Sequence, residues 1–510
     1  MYKRNLICFL WLLWIVSLPL GAQNVLNQSL TISFEKGTVF SYLDTIQKQT
    51  GISFVYSDAL NPSTMVEIEN GTYQVVQLLD RLFPAQEVKY IVRGNLVVLS
   101  PQGTGNISPG KIVIRGKVVD RKENAVPFAT VFFSQRSMGT ITNADGEFRM
   151  VIPEEYTSDT LLVSSMGYLT SKLMPEEWLT SMLMVELTTA TVPIKEVIIR
   201  PGNALSLVLA SYKARKENHP TENRYMTAFF RESSKQNDEY ISLSEALVEI
   251  NKTSYISQAD DQIRFVKGRK GTNISQSELV NLVVEGGLYN GLRLDVAKYS
   301  SYFYSEEAGQ ECEYRMLPTV MYKNQQTYVI GFRPKEGVQY PGYSGKLYLD
   351  SESLALVRAE FELDPSGLKY ARSLLVKKTP RNYRADPEFA CYTVEYRYYN
   401  QTWNLQYART EFGIKVKKLR GKDNKGFSCN FTSSSEFVIT NMADTTLKHI
   451  PFKETSRPDD VLARQVETTT PGYWLNDNVI LPEEPLLQTI QRLQEKGAIP
   501  ESKNYPSVIE

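Results

Sequence analysis

Between residues 226 and 440 the chain is written in short β-prone runs separated by turns, and no other feature limits the fold as much. Such runs fall at 225–230, 239–249, 326–332, 345–349, 356–363, 392–399, 403–410, 413–419 and 436–440. Tyr392-Thr393-Val394-Glu395-Tyr396-Arg397-Tyr398 alternates strictly, which puts aromatic residues on one face of a strand and polar groups on the other. A series of this kind predicts a large antiparallel sheet or an open barrel. The 30 tyrosines and 21 phenylalanines agree, because aromatic side chains favour strands. Helices flank the region. Ala204, Leu205, Val208, Leu209 and Tyr212 recur at helical spacing within 203–222, and Leu486, Leu487, Ile490 and Leu493 do so within 485–496, before Gly497.

Ahead of this region lie smaller modules. Lys3 and Arg4, an apolar run at 6–18, Pro19 and the small pair Gly21-Ala22 read as a secretory signal peptide over residues 1–22. The alternative is an uncleaved anchor, but the run is shorter than the roughly 20 residues a bilayer requires. Cys8 precedes most of the run, whereas a lipid-acceptor cysteine would follow it.

Residues 26–100 carry a strand–helix–strand pattern twice. Gly37-Thr38 opens a first helix with Val39, Phe40, Leu43 and Ile46 on one face, and Gly51 closes it. A second helix is predicted from about Thr72, with Tyr73, Val76, Leu79 and Leu82 inward, stopping before Pro84. Residues 88–92 and 96–99 read as a hairpin. Phe40-x-x-Leu43-x-x-Ile46, Thr50-Gly51-Ile52-x-Phe54-x-Tyr56 and Val76-x-Leu78-Leu79-x-x-Leu82 resemble the short N-terminal domain of secretins and TonB-dependent receptors. That resemblance implies a periplasmic interaction module whose partner is an envelope protein.

Residues 101–110, rich in Pro, Gly, Ser and Asn, read as a linker. Residues 111–199 read as all-β, with strands at 112–120, 127–132 and 161–165. Residues 139–150 are predicted to form a hairpin, with Gly146 at a positive-φ position of its loop. Gly116-Lys117-Val118-x-Asp120, Pro127-x-Ala129-x-Val131, Gly139-Thr140-x-Thr142-x-x-x-Gly146-x-Phe148 and Met166-Gly167-Tyr168 resemble the carboxypeptidase regulatory-like domain, a transthyretin-type β-sandwich. Asn143 stands where that family usually has aspartate, and Asn suits the same turn. In carboxypeptidases this sandwich is accessory, so the resemblance implies no zinc site.

Residues 203–510 form the large β-rich C-terminal domain. Phe229-Phe230-Arg231-Glu232, Ser244-Glu245-Ala246, Lys267-Gly268-Arg269-Lys270, Gly286-Gly287, Gly345-Lys346-Leu347-Tyr348-Leu349-Asp350, and Tyr473-Trp474 with Asn478 and Leu481-Pro482-Glu483-Glu484 resemble the Bacteroidetes carboxypeptidase-like regulatory-domain-containing proteins. The 345–350 strand followed by Ala355-Leu356-Val357 also looks like periplasmic lipoprotein-carrier half-barrels. The fold class is therefore multi-domain and mainly β. A small α+β domain precedes a transthyretin-like sandwich and a large antiparallel β-domain, in one form a half-barrel, with flanking helices.

Chemistry is sparse. The 57 basic and 57 acidic residues cancel, which argues against a nucleic-acid-binding surface. Only His219 and His449 are present, so a histidine-rich metal site is excluded. His219-Pro220-Thr221-Glu222 has a zinc-ligand spacing, but its linker setting makes two solvent-exposed histidines the better account. Gly342-Tyr343-Ser344-Gly345 lacks the frame of a nucleophile elbow and leads into a strand. Glu306-Glu307 and Asp260-Asp261 sit in loop-like, charged surroundings. Lys267–Lys270 and Lys415–Lys418 read as solvated strand edges. Cys312, Cys391 and Cys429 allow either one disulfide and a free thiol or three unpaired buried thiols. No catalytic residue, cofactor-binding residue or metal ligand is assigned, and no cofactor.

The sequence thus describes an exported, non-enzymatic cell-envelope binding protein of the periplasm or the periplasmic face of the outer membrane, linked to TonB-dependent uptake or outer-membrane component handling. Its N-terminal domain contacts a protein, its β-domain a lipid or other hydrophobic ligand. Two rivals stand beside this. One is a scaffold without a small ligand. The other is an unrecognised glycan or peptide hydrolase, which a buried carboxylate cluster would favour. A 22-stranded TonB-dependent transporter needs far more chain than the residues after 200 supply.

Overall fold

The computed structural model describes residues 25–56, 64–83, 88–93, 96–101, 110–180, 182–190, 204–272, 283–284, 286–299, 301–337, 339–379, 381–419, 428–443, 450–457, 460, 462, 466, 474 and 476–483. The signal segment, His449 and the helix predicted at 485–496 lie outside these residues. Two compact units divide the chain after residue 103.

In the first unit, the helix Val39–Thr50 starts where Thr38 Oγ1 accepts the Ser41 N–H and stops at Gly51 in the left-handed conformation (φ 71°). It buries Val39, Tyr42, Leu43 and Ile46 against Val75, Leu78, Leu79 and Leu82 of the helix Val75–Leu82. That second helix begins later than its spacing suggests. Gly71–Gln74 are instead taken into a ladder with Ser29–Ile32, which leaves Tyr73 half-buried. Ser53–Tyr56 runs parallel to Leu96–Pro101, which pairs antiparallel with Val88–Arg93.

The second unit begins with a two-sheet sandwich. Lys111–Asp120 pairs antiparallel with Glu147–Pro153 and parallel with Leu183–Leu187. Thr130–Phe133 lies between Gly139–Ile141 and Leu161–Ser164, and Ser171–Leu173 follows. Residues 139–150 therefore form no paired hairpin: Gly139–Ile141 and Glu147–Pro153 belong to different sheets. Asn143 turns the corner, its Oδ1 accepting the N–H groups of Asp145 and Glu147, with Gly146 at φ 78°. A side-chain acceptor at this point competes with ladder pairing.

Ten antiparallel strands make the large sheet: β1 (Arg224–Gln236), β2 (Glu239–Lys252), β3 (Gln262–Thr272), β4 (Cys312–Tyr322), β5 (Gln325–Pro334), β6 (Tyr343–Asp350), β7 (Leu356–Leu363), β8 (Tyr383–Tyr399), β9 (Thr402–Lys418) and β10 (Ser428–Ala443). Their spatial order is β3-β2-β1-β10-β9-β8-β7-β6-β5-β4. Two meanders are thus joined where β10 returns beside β1. Lys415–Lys418 sits in β9, an interior strand, which corrects its assignment to an edge. Cys312 and Cys429 are buried, Cys391 is exposed, and none of the three forms a disulfide.

One row of paired residues crosses all ten strands with apolar groups: Gly268, Ala246, Phe230, Phe437, Ala408, Val394, Ala359, Leu347, Ile330 and Met316. The helix Ala204–Asn218 and residues 286–299 and 301–311 pack on this face through Ala204, Val208, Leu292, Phe303 and Tyr304. On the opposite face the sandwich and residues 474 and 476–483 join Ile141, Trp474, Val479 and Ile480 to Phe229, Tyr407 and Val438.

Candidate ligand-binding face

Next to the apolar row, on the same face, runs a second row: Tyr314, Phe332, Gly345, Phe361, Tyr392, Thr410, Ser435, Glu232, Ser244 and Lys270. Its β4–β8 half is aromatic. Phe361 stacks on Tyr392 at 5.0 Å, and Tyr343 meets both edge-on. Gly345 places no side chain between Phe332 and Phe361, and a Cβ there would collide with the backbone of β7. Phe303, from the covering segment, bridges this gap: it stacks on Phe332 at 4.5 Å and 14° and lies 5.0 Å from Phe361. The Tyr314 hydroxyl donates to the Phe303 carbonyl at 2.8 Å. The chain's own phenylalanine therefore fills the opening that Gly345 leaves in the row.

The covering segment is held down by a buried ionic cluster. Lys252 Nζ lies 2.7 Å from Asp261 Oδ2 and 2.6 Å from Asp295 Oδ2. Lys298 Nζ reaches Asp261 Oδ1 at 2.9 Å. The hydroxyls of Tyr255 and Tyr396 donate to Asp295 at 2.7 and 2.8 Å. Burial alone would lower the Lys252 ammonium, but the two aspartates hold it above its ordinary value. Burial likewise works against the Asp261 carboxylate, yet Lys252 and Lys298 keep it below the usual range. Tyr304, next to Phe303, is 2.9 Å from Ser211 on the flanking helix.

His219 belongs to this cluster and is only 1% exposed, contrary to its expected place in solvent. Nδ1 lies 2.8 Å from the Trp403 carbonyl, and the ring stacks on Tyr255 at 4.7 Å. Nε2 is buried without a partner among the described residues. Burial pushes the imidazole down to about 4, against the attraction of Asp295. Glu222 is exposed, so the His-x-x-Glu spacing brings nothing together. Among the described residues, no group of three or more His, Cys, Asp or Glu could hold a metal ion. Asp260 and Asp261 part company, since Asp260 is exposed and Asp261 buried. Glu306 and Glu307 are exposed, and Ser344 enters β6 as a strand residue.

On the opposite face a row of charges spans the sheet: Arg269, Glu245, Arg231, Glu436, Arg409, Thr393, Glu360, Lys346, Gly331 and Arg315. Glu245 is fully buried between Arg231 (2.8 Å) and Arg269 (2.5 Å) and accepts the Trp474 indole N–H at 3.1 Å. Burial would raise its carboxyl, but the two guanidiniums hold it below the usual range. Arg231 also donates to the carbonyls of Ile480 and Leu481. Four separated sequence motifs thus meet at one carboxylate. The run 267–270 is no solvated edge: Arg269 is buried on Glu245, and Lys267 pairs with Asp477. Glu232, on the aromatic face, accepts the Gly287 N–H at 2.9 Å.

The sandwich joins this face through polar groups. Glu395 accepts from Arg358 and Tyr322 of the sheet, both at 2.7 Å, and from Thr130 of the sandwich at 3.3 Å. Arg397 donates to the carbonyls of Ser137 and Met138. Asn478 bonds both the N–H and the carbonyl of Val151.

Residues 114–199 match the CarboxypepD_reg-like domain, in agreement with the motifs quoted for the sandwich. No curated protein matches the chain. A LolA superfamily protein from Nitrosomonas europaea overlaps 50% of this chain and 98% of its own, at 14% identity and a TM-score of 0.21. A DUF1329 family protein from Desulfovibrio piger overlaps 48% and 95%, at 10% identity and a TM-score of 0.22. Overlaps this loose establish neither a shared fold nor a shared ligand.

Proposed function

We propose that this chain is an exported, non-enzymatic binding protein of the cell envelope whose large sheet takes a hydrophobic ligand on its aromatic face. The observation that carries the proposal is Phe303, an apolar side chain inserted between Phe332 and Phe361 where Gly345 leaves the row open. A ligand enters this site by displacing Phe303 with its segment. The amino-terminal apolar segment and the sandwich support an envelope location. The first unit supplies the contact to a protein partner. The non-enzymatic reading is supported by the partners of the buried carboxylates: Glu245, Asp261 and Asp295 are each held by lysine or arginine at 2.5–2.9 Å.

Two observations favour other readings. The aromatic face is already filled, as a ligand-free scaffold requires. Asp261 and Asp295 do cluster, as a hydrolase requires, although Lys252 and Lys298 together balance their two charges. One experiment separates the first two. The mature protein is purified from a Gram-negative host, extracted with organic solvent, and titrated with a fluorescent acyl-chain probe. The proposal predicts extractable lipid or saturable probe uptake, strengthened in Phe303→Ala and Phe303→Leu, which open the gap to different degrees. No lipid and no uptake in any of the three proteins leaves the scaffold.

A further inference from the structure

The charged row that crosses the sheet is interrupted at Thr393, between Arg409 and Glu360, and at Gly331, the one interruption with a cation on each side. Arg269, Glu245, Arg231, Glu436 and Arg409 alternate in sign, and Glu360 is followed by Lys346. The next position is Gly331, and beyond it stands Arg315. Two cations therefore flank a residue with no side chain, where an acid would continue the alternation. Register places all three on one face, because directly paired residues of adjacent strands point the same way. Arg315 and Lys346 have no ionic or hydrogen-bonded partner among the described residues. Arg333, on the same face, is already neutralised by Glu313 at 2.7 and 2.9 Å. The gap opens into a groove of about 600 Å³, lined also by Leu317, Ser344 and Asp364.

We propose that this groove is a binding site for a phosphate group, held between Arg315 and Lys346 over Gly331. Adjacent strands are about 4.8 Å apart, so the two cationic residues stand about 10 Å apart at the backbone. Long side chains close that span around a phosphate-sized anion. Arginine supplies a planar fork for two oxygens and lysine a mobile point charge. The bound group acts as the missing rung of the charge row, and Leu317 gives the attached moiety an apolar wall. The site lies on the opposite face of the sheet from Phe303 and does not depend on the hydrophobic-ligand reading.

The test uses the full mature chain in two arms. In one, phenyl phosphate is titrated by calorimetry at low ionic strength. In the other, flotation measures recovery with phosphatidylcholine vesicles, with and without phosphatidic acid. Binding in the first arm identifies a soluble phosphate ester, and binding only in the second a lipid headgroup. In whichever arm binds, Arg315→Gln or Lys346→Gln should weaken the affinity by about tenfold, the loss of one charge-assisted contact. Gly331→Glu should abolish it, by placing the chain's own carboxylate in the gap. The atoms nearest to a Cβ at Gly331 belong to the flexible side chains of Leu317 and Arg315, at 3.2 Å or more, so this variant is compatible with the fold. No binding in either arm, or binding that survives Gly331→Glu in a folded protein, overturns the proposal.

Discussion

His219 shows what a single residue owes to the rest of the molecule. Its sequence neighbours, Pro220, Thr221 and Glu222, suggest a linker in solvent. Its actual neighbours, Tyr255, Tyr396 and Trp403, come from distant strands and loops, and no local pattern announces them. Burial without a second partner lowers its affinity for a proton from the ordinary 6.5 to about 4. The unfolded chain therefore takes up a proton near pH 6.5 that the folded chain refuses until about pH 4. Acidification through that window removes stability, in total roughly 3 kcal/mol, and the loss is complete below it. Urea unfolding between pH 7 and pH 4 should show this slope, and it should be shallower in His219→Phe. The Glu245 centre was legible only in pieces. The motifs around Arg231, Glu245, Arg269 and Trp474 stand out along the chain, but their meeting is a matter of register between β1, β2 and β3.

At the scale of elements, alternation located the sheet, and it located strands best where both faces differ sharply. Tyr392–Tyr398 of β8 is such a case. In the sequence pattern β3 shows only as a strand edge at 267–270, and β4 does not show at all. In β3 the basic run breaks the alternation, and in β4 the register shifts between Leu317 and Val320, around Pro318. The tight hairpins escape the sequence pattern for another reason. Asn237-Asp238, Lys323-Asn324 and Asn400-Gln401 each hold two consecutive positive φ values, the geometry of a type I′ turn, without the glycine that usually signals one. Gln401, at φ 60°, is the least suited of these to the left-handed region. Gln401→Gly should raise the stability of the β8–β9 hairpin by about 1 kcal/mol, read as a higher urea midpoint at unchanged slope. The charge row was likewise invisible from sequence, because each strand contributes one residue to it and only the pairing lines them up.

At the scale of the molecule, the chain divides after residue 103 into two units that each have their own core. The boundary between sandwich and sheet is of a different kind. Ile141 packs with Tyr407 and Trp474, Thr130 reaches Glu395, and Arg149 donates to the carbonyls of Trp474 and Asp477. Unfolding the sandwich alone would strand these buried polar groups, which costs more than leaving them paired. Calorimetry of the chain should therefore show a separate transition for the first unit and one shared by sandwich and sheet. A Glu395→Ala substitution, which removes the acceptor common to Arg358, Tyr322 and Thr130, should lower the shared transition and leave the other in place.

The return of β10 beside β1 carries a consequence for how the molecule comes into being. β1 is the first strand of the sheet to be synthesised, yet one of its two neighbours is the last. Until residues 428–443 have emerged, Phe230 and its row present an open seam, and the first meander waits beside an unpaired edge. Long-range pairing of this kind is slow to form and prone to misassociation while it waits. The interval between the exit of residue 236 and the arrival of residue 428 is when this chain most needs a companion that shields strand edges.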